Sequence, residues 1–264
     1  MATAQRPTKL SLRAIFFDLD NTLIPTKNGD KKACDQLISW LVRNDHMSNS
    51  DAEEIVYTYL RIFRKCPHNP EVELNAWRLQ LWSSALGGRY EHLKDAIYQQ
   101  WLRLRFHYLA LTSEVVDLLI QLRSSYLLVL ITNGTSSSQW EKVDRLNLRR
   151  YFDGIFVSGD LPWEKPHPGI FFEACQFLGV EPHECIMIGD KMETDILGGV
   201  KAGLAATFLI QTSQPQPATE VKPDHVLSSV MELTHFLPKR PLMKRPTLPL
   251  VSDEDTNSNS SDGS

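Results

Sequence analysis

The stretch Ala14-Ile15-Phe16-Phe17-Asp18-Leu19-Asp20-Asn21-Thr22 decides how this chain folds. It opens with an apolar run that predicts a buried strand, and two carboxylates follow directly at the exit of that strand. Like charges this close raise each other's pKa unless a cation lies between them. The pair therefore indicates a bound metal ion, a shared proton or both. A polar loop after a strand is the competing interpretation.

Three later segments favour a functional site. Each places polar groups at or near the carboxyl end of a predicted strand: Thr132-Asn133-Gly134 after the apolar run 127–131, Glu164-Lys165-Pro166 further on, and Gly189-Asp190 with Thr194-Asp195 after the run 186–188. In open α/β sheets, ligands bind outside that edge. Carboxylates, a hydroxyl with an amide, and a lysine together suit a phosphate held between a divalent cation and a protein ammonium.

Taken in order, these motifs resemble the haloacid dehalogenase superfamily of hydrolases. The match spans residues 14–211 and is carried by Asp18-Leu19-Asp20-Asn21-Thr22, Thr132-Asn133, Lys165-Pro166 and Gly189-Asp190 with Asp195. Within the superfamily, the longer stretches at 16–24, 131–134, 164–166 and 193–199 resemble the N-acylneuraminate-9-phosphatases, which remove phosphate from a nine-carbon sialic acid phosphate. The motifs indicate chemistry more directly than they indicate a substrate.

The resemblance implies a phosphatase mechanism that starts at Asp18. A carboxylate can attack phosphorus and form an aspartyl-phosphate, and we assign that attack to Asp18. We expect Asp20 to protonate the departing alkoxide and then to take a proton from the attacking water, which requires a pKa near the working pH. A turn cap is the alternative role for Asp20. Relatives that cleave carbon–halogen bonds generally lack this acid, so its presence favours a phosphatase over a dehalogenase.

The middle motifs are expected to bind the phosphoryl group. In the family scheme, Thr132 and Asn133 donate hydrogen bonds to the phosphoryl oxygens. Lys165 neutralises charge on that group and on the nucleophile. A single lysine before a proline is usually only a surface turn, and its place in the order of motifs is what favours the catalytic interpretation.

The acids are expected to bind a metal ion. Oxygen ligands beside a phosphate favour Mg²⁺ with retained waters, held by Asp18, the backbone carbonyl of Asp20, and Asp190. Asp195 is expected to orient water or a ligand from behind these groups. A helix N-terminal acid favoured by the helix dipole is a serious alternative for Asp195. Lys191 departs from the family pattern, which usually has Ser or Thr there; its ammonium either weakens Mg²⁺ binding or extends to solvent.

Length and composition are those of a soluble enzyme. The chain has 264 residues and a formal net charge of −4, which provides no overall basic field for nucleic acid. We find no apolar run long enough for a membrane span and no secretory signal, and we expect a cytoplasmic protein. Cysteine is sparse and widely spaced, which indicates reduced thiols rather than disulfides or a zinc site, at Cys34, Cys66, Cys175 and Cys185.

The predicted elements divide the chain into a core, an insert and a tail. Residues 11–25 and 111–237 form the catalytic core, in which strands alternate with helices as in parallel βαβ units. Residues 26–110 are predicted to be almost entirely helical, with a capping box at Ser50-Asp51-Ala52-Glu53. The fold class is therefore α/β, a doubly wound, mostly parallel Rossmann-like sheet with a helical cap inserted after the first strand. A mobile cap over the active site is what the resemblance implies.

The remaining segment has a different composition. Residues 238–249 are rich in both proline and basic residues, and residues 252–264 are acidic and poor in apolar residues. Such a segment cannot bury enough surface to offset its ordering entropy, so we predict disorder for 238–264.

Three functions stay open at this point. The first is a Mg²⁺-dependent phosphatase for a small phosphorylated sugar acid, N-acylneuraminate 9-phosphate. The second is a phosphatase for another small sugar phosphate or phosphoglycolate. The third is a catalytically weak binding protein on the same fold, because fold does not determine function. The sequence leaves the oligomeric state undetermined.

Overall fold

The computed structural model describes residues 12–66, 68–211 and 221–243. Its strands are Ala14–Phe17 (β1), Leu127–Thr132 (β2), Gly154–Val157 (β3), Cys185–Gly189 (β4), Ala206–Ile210 (β5) and His225–Leu227 (β6). Its α-helices are Thr26–Asn44 (α1), Asn49–Lys65 (α2), Leu74–Tyr90 (α3), Lys94–Leu109 (α4), Ser113–Arg123 (α5), Ser136–Arg145 (α6), Pro168–Leu178 (α7) and Leu197–Lys201 (α8). A π-helical turn spans Met192–Ile196, and short 3₁₀ helices span Glu91–Leu93, Leu148–Arg150, Ser158–Asp160, Pro182–Glu184 and Val230–His235.

The strands form one parallel sheet in the order β3-β2-β1-β4-β5-β6. Strand β1 lies in the middle, with Phe17 in register with Leu130 of β2 on one side and with Ile188 of β4 on the other. The chain order reverses direction at β1, and such a switch point opens a ligand crevice at the carboxyl edge. This topology confirms the predicted Rossmann-like α/β core, and every strand pair in it is parallel.

Both faces of the sheet are buried, which explains the uninterrupted apolar runs of its central strands. Successive side chains of a strand point to opposite faces. Accordingly, Ile15 packs into one apolar cluster with Leu119, whereas Phe16 packs into another with Phe171. Helices therefore cover the sheet on both sides, as the predicted double winding requires.

The helices α1 to α4 all lie between β1 and β2 and have an apolar cluster of their own. Its centre is aromatic: the Tyr59 ring stacks on Trp82 at 3.7 Å between centroids and meets Trp101 edge-on at 5.1 Å. Both tryptophans are fully buried, so they form the interior of the insert. We call α1 to α4 the cap; its predicted limits, 26–110, stay a prediction that the ends of α1 and α4 support.

One local prediction in the cap is wrong by two residues. Helix α2 begins at Asn49, and Ser48 is its N-cap, because the Ser48 Oγ accepts from the Asp51 N–H at 3.1 Å. The expected capping box at Ser50 therefore lies inside the first turn. Ser48 has the extended backbone that an N-cap requires.

The described part of the C-terminal segment lies against the core. The Tyr126 hydroxyl donates to the Pro238 carbonyl, Arg240 donates to the carbonyl of Leu12, and the Met243 N–H donates to the Ser124 carbonyl at 2.7 Å. Residues 244–264, which hold most of the predicted tail, lie outside the described residues. Within the described ranges, no helix is both long and apolar enough to cross a bilayer.

Candidate active site

The loop after β1 places Asp18 at the switch point of the sheet. The Asp18 N–H donates to the Ile188 carbonyl of β4 at 2.9 Å, which continues the strand pairing by one residue. Thr22 then folds back, and its Oγ1 donates to Asp18 Oδ2 at 3.1 Å. Between them, Asn21 adopts a left-handed φ of 64°, a conformation that asparagine tolerates better than most residues. The turn therefore holds a buried Asp18 carboxylate in a defined orientation.

Lys165 contacts Asp18 directly, although 147 positions separate them in the chain. Its Nζ lies 2.6 Å from Asp18 Oδ1, 2.7 Å from the Ile131 carbonyl oxygen and 2.7 Å from Asp195 Oδ1. These acceptors match the three donors of an ammonium group. Lys165 is only 2% exposed, and a buried cation is stable only with such partners. The prediction that Lys165 neutralises charge on the phosphoryl group and on Asp18 stays a prediction, and its contact with Asp18 supports the second part.

The side chain of Asn133 holds the Lys165 segment in place. Its Nδ2 donates to the Lys165 carbonyl at 2.8 Å, and its Oδ1 accepts from the Lys165 N–H at 2.9 Å. Thr132, the last residue of β2, is buried next to it. The predicted contacts of Thr132 and Asn133 with phosphate stay predictions. In this arrangement the Asn133 amide positions Lys165.

Asp190 and Asp195 complete a cluster of acids around Asp18. One carboxylate oxygen from each of these buried residues lies within 4.8 Å of the other two. Gly189 makes the approach possible, because a Cβ at that position would lie 2.2 Å from Asp195 Oδ2. Asp195 Oδ2 also accepts from the Lys191 N–H at 3.0 Å, while the Lys191 side chain is exposed to solvent. Asp195 thus lies within the acid cluster, whereas the sequence analysis placed it behind the ligands.

The charges of this cluster fit a divalent cation. Burial raises the pKa of Asp18 to about 7, and Asp195 adds to the rise while Lys165 opposes it. Burial, followed by repulsion from Asp195, also raises the pKa of Asp190. Lys165 forms ion pairs with Asp18 and Asp195, and a second positive charge would relieve the repulsion among the three carboxylates. An all-oxygen donor set of this kind suits a hard cation such as Mg²⁺.

Asp20 lies in a different environment from Asp18. Lys142 Nζ contacts both of its carboxylate oxygens at 2.7 Å, Thr26 Oγ1 donates to Oδ1 at 2.5 Å, and Gln139 Nε2 donates to Oδ2 at 3.1 Å. Burial by itself would raise the pKa of Asp20, but the charge and hydrogen bonds of Lys142, with those of Thr26 and Gln139, hold this pKa well below its usual range. The expected near-neutral pKa of Asp20 is therefore wrong for this arrangement.

Sequence reasoning missed Lys142 and Gln139. Both lie on α6, the helix that follows Thr132-Asn133, and their spacing of three residues places them on one helix face. That spacing is the only sequence signal for them. A lysine and a glutamine on one helix face usually indicate nothing more than a solvated surface.

The part of the chain that matches a known protein family includes most of the core and the whole cap. Residues 12–203 match the haloacid dehalogenase-like hydrolase family. The chain belongs to this family.

Named relatives of the chain are phosphatases. It is 36% identical over 233 residues to the N-acylneuraminate-9-phosphatase of Rattus norvegicus, covering 86% of this chain and 94% of the relative. It is 28% identical over 228 residues to a glyceraldehyde 3-phosphate phosphatase of Methanopyrus kandleri, covering 84% and 95%. A solved structure of a phosphatase of the same superfamily from Thermococcus onnurineus aligns with a TM-score of 0.58 at 23% identity, covering 85% and 97%; that likeness concerns the fold.

Proposed function

We propose that the chain is a Mg²⁺-dependent phosphatase that hydrolyses N-acylneuraminate 9-phosphate through an aspartyl-phosphate intermediate. The contact of 2.6 Å between Lys165 and Asp18, inside a cluster of three carboxylates, is the observation that carries the proposal. The identity to the rat N-acylneuraminate-9-phosphatase along most of both chains supports the choice of substrate. A cytoplasmic location belongs to the same proposal and is supported by four free cysteines.

The first half of the reaction uses Asp18 as the nucleophile. An Asp18 oxygen attacks phosphorus, the bond between phosphorus and the ester oxygen breaks, and an aspartyl-phosphate remains on the protein. Lys165 and Thr22 each hold one oxygen of Asp18, so the plane of the carboxylate is fixed before attack. Such preorganisation replaces the solvent ordering that the uncatalysed reaction requires.

Asp20 moves the proton in both halves of the reaction. In the first half it donates a proton to the departing alkoxide, and in the second half it accepts a proton from the water that attacks the aspartyl-phosphate. Attack by that water breaks the bond between phosphorus and Asp18 and releases inorganic phosphate. Each turnover therefore starts and ends with protonated Asp20, because the proton given to the alkoxide is regained from the water. Lys142 stabilises the ionised form of Asp20 that exists between the two halves and that the second half requires.

Asp18, Asp190 and the backbone carbonyl of Asp20 would hold Mg²⁺, with Asp195 beside them. When bound, the ion supplies positive charge to the phosphoryl oxygens and orients them. Lys165 supplies the matching charge from the protein side, since its ammonium is shared between Asp18 and Asp195. Asp195 thereby keeps Lys165 in place and adjoins the metal ligands.

A cleft beside the site has room for a sugar acid. It has a volume of about 660 Å³. Pro70 of the cap lines one side, and residues of the core, among them Gly134, Ser136 and Glu164, line the other. Ligand pockets for small molecules typically span about 300–1,000 Å³, so a nine-carbon sugar phosphate fits this range. Asp18 and Lys165 are not among the residues that line the cleft, but Glu164, the chain neighbour of Lys165, is.

Two cap arginines are candidates to bind the carboxylate of a sugar acid. Of the cap cations that the sequence offers, Arg78 and Arg105 are buried, at 0% and 2% exposed. Both already bind carboxylates, Arg78 that of Glu141 and Arg105 that of Asp30 at 2.7 Å. Among the described residues, the buried Nη1 of Arg105 has no hydrogen-bond partner, and Arg105 does not line the cleft, so a substrate carboxylate would reach this donor only after the cap moves.

A panel of phosphate esters tests the substrate and the nucleophile together. With Mg²⁺, the protein should release phosphate from N-acetylneuraminate 9-phosphate faster than from glyceraldehyde 3-phosphate or 2-phosphoglycolate. Asp18→Asn should abolish turnover, while Asp117→Asn, at an exposed acid of α5, should leave it unchanged. Faster release from glyceraldehyde 3-phosphate would favour the second candidate function, which the archaeal relative supports. If the protein released phosphate from none of these esters, only the third candidate function, a binding protein on the same fold, would remain.

The arginine assignment has its own test. Arg105→Gln should raise KM for the sugar acid phosphate more than for a neutral sugar phosphate, because only the former has a carboxylate to lose contact with. Arg103→Gln, at an exposed position of the same helix, is the matched control. Equal effects on the two substrates would reject Arg105 as the carboxylate ligand.

A further inference from the structure

Asp20 is held from several directions, and most of its contacts come from α6. Lys142 bonds to both oxygens at equal distances of 2.7 Å, and Gln139 adds a third bond from one turn earlier. The Lys142 side chain is 6% exposed, whereas that of Asp20 is 24% exposed. A carboxylate with access to solvent is thus bound to a lysine that has almost none.

The burial of the Lys142 ammonium has an energetic cost that needs an explanation. Removing an ammonium from water costs several kcal/mol, and a single pair with a partly exposed carboxylate compensates for that cost only when the geometry is good. Lys142 occupies its position with both carboxylate oxygens in contact, which fixes the rotation of the Asp20 side chain as well as its charge. Fold stability alone does not call for this arrangement, because an apolar side chain in the same position would avoid the cost.

Helix α6, which carries Lys142, is itself held by contacts with the loop after β2 and with the cap. Gln139 Nε2 also donates to the Asn133 carbonyl at 2.7 Å, which ties the helix to the loop after β2. Glu141, next to Lys142, forms a two-bond ion pair with Arg78 of the cap, at 3.0 and 2.5 Å. The position of Lys142 is therefore defined by the core loop on one side and by the seated cap on the other.

We propose that Lys142 is a positioning residue that, together with Gln139, orients the Asp20 carboxyl for proton transfer to the leaving group. The inference rests on the proposed function, in which Asp20 protonates the departing alkoxide. An ester with a good leaving group needs no such proton, whereas a sugar alkoxide does. Because the water step is common to all esters, the contrast lies in kcat/KM, which covers the steps up to loss of the leaving group. Loss of Lys142 should therefore lower kcat/KM for an alkyl phosphate and spare kcat/KM for an aryl phosphate.

The test compares Lys142→Met with wild type on a sugar phosphate and on p-nitrophenyl phosphate, both with Mg²⁺. We expect kcat/KM for the sugar phosphate to fall about 10- to 100-fold, part of the roughly 10²–10⁴-fold that general acid–base catalysis contributes, while kcat/KM for p-nitrophenyl phosphate changes less than about threefold. Lys201→Met, at an exposed lysine of α8, should change neither. The ratio of the two rates in one preparation does not depend on the folded fraction, so partial unfolding cannot imitate the result.

A double-mutant cycle separates positioning from other roles. In an Asp20→Asn background, Lys142→Met should cause no further loss on the sugar phosphate, because the group that it positions is already gone. Lys142→Arg, which keeps the cation, should recover part of the sugar phosphate rate. Equal losses of kcat/KM on both esters, or a further loss in the Asp20→Asn background, would each overturn the inference while leaving the proposed function standing. A wild-type protein that released phosphate from neither ester would overturn both.

Discussion

Replacing Gly189 by alanine should disable the acid cluster through a single methyl group. The added Cβ would lie 2.2 Å from both Cγ and Oδ2 of Asp195, about 1.3 Å short of an ordinary van der Waals contact. Asp195 is 1% exposed and pairs with Lys165 at 2.7 Å, so it cannot move away without breaking that pair. Overpacking of this kind costs about 1–3 kcal/mol of stability. A displacement of about 1 Å near reacting groups can cost about 10²-fold in rate, or about 2.7 kcal/mol in the barrier.

Urea unfolding and phosphate release measure the two effects separately. Gly189→Ala should lower the free energy of unfolding and reduce kcat by about a hundredfold, with weaker Mg²⁺ binding by calorimetry. Gly88→Ala is the matched control, since a Cβ at that position meets nothing within 4 Å. If Gly189→Ala and the Gly88→Ala control had the same free energy of unfolding and the same kcat, then Asp195 would be free to move away from the added methyl group. That result would refute the close packing of Asp195 between Gly189 and Lys165.

Three further changes test other parts of the molecule. Glu141→Gln leaves the fully buried Arg78 without its charge partner and should lower the free energy of unfolding in urea by about 3–5 kcal/mol. Glu54→Gln, at an exposed position, is the control and should leave this free energy unchanged. Equal stability of the two variants would contradict a buried ion pair. Trp82→Ala removes the ring stacked on Tyr59 and should lower the free energy of unfolding by about 3–5 kcal/mol. A clearly smaller decrease, measured by thermal unfolding, would contradict the central packing role of Trp82. Ca²⁺ in place of Mg²⁺ should inhibit phosphate release, because its larger coordination shell can bind both oxygens of the nucleophile; full activity with Ca²⁺ alone would reject this account.

The fold was predictable because its signals are local and repeated. Apolar runs identify the central strands, and a polar motif after each run marks the same edge of the sheet. The order of strands follows from parallel pairing, which places β2 and β4 on either side of β1 and brings Asp18 and Asp190 together. The boundary of α2 was harder to predict, since Ser48 and Ser50 offer equivalent hydroxyls and the backbone conformation decides between them.

The site was predictable only where its residues belong to ordered motifs. Lys142 and Gln139 lie on a helix surface whose local sequence resembles many solvated helices. What distinguishes them is their contacts with Asp20, across 122 and 119 positions of the chain respectively. The role of the Asn133 side chain was hidden for a similar reason. Its bonds go to the backbone of Lys165, and backbone partners leave no trace in the identity of a residue.

The two acids of the opening motif have opposite electrostatic surroundings, and this contrast explains what each one needs. Asp18 shares Lys165 with Asp195 in a cluster of carboxylates, so its pKa is raised and its ionised form needs further positive charge. Asp20 has Lys142 to itself, so its ionised form is already stabilised. A nucleophile must be ionised and a general acid must carry a proton. In the proposed mechanism, Asp18 therefore needs a cation beside it, whereas Asp20 must gain a proton while Lys142 and Gln139 keep its carboxyl in place. The ion pair between Arg78 and Glu141 connects helix α6, which holds Lys142, to the position of the cap.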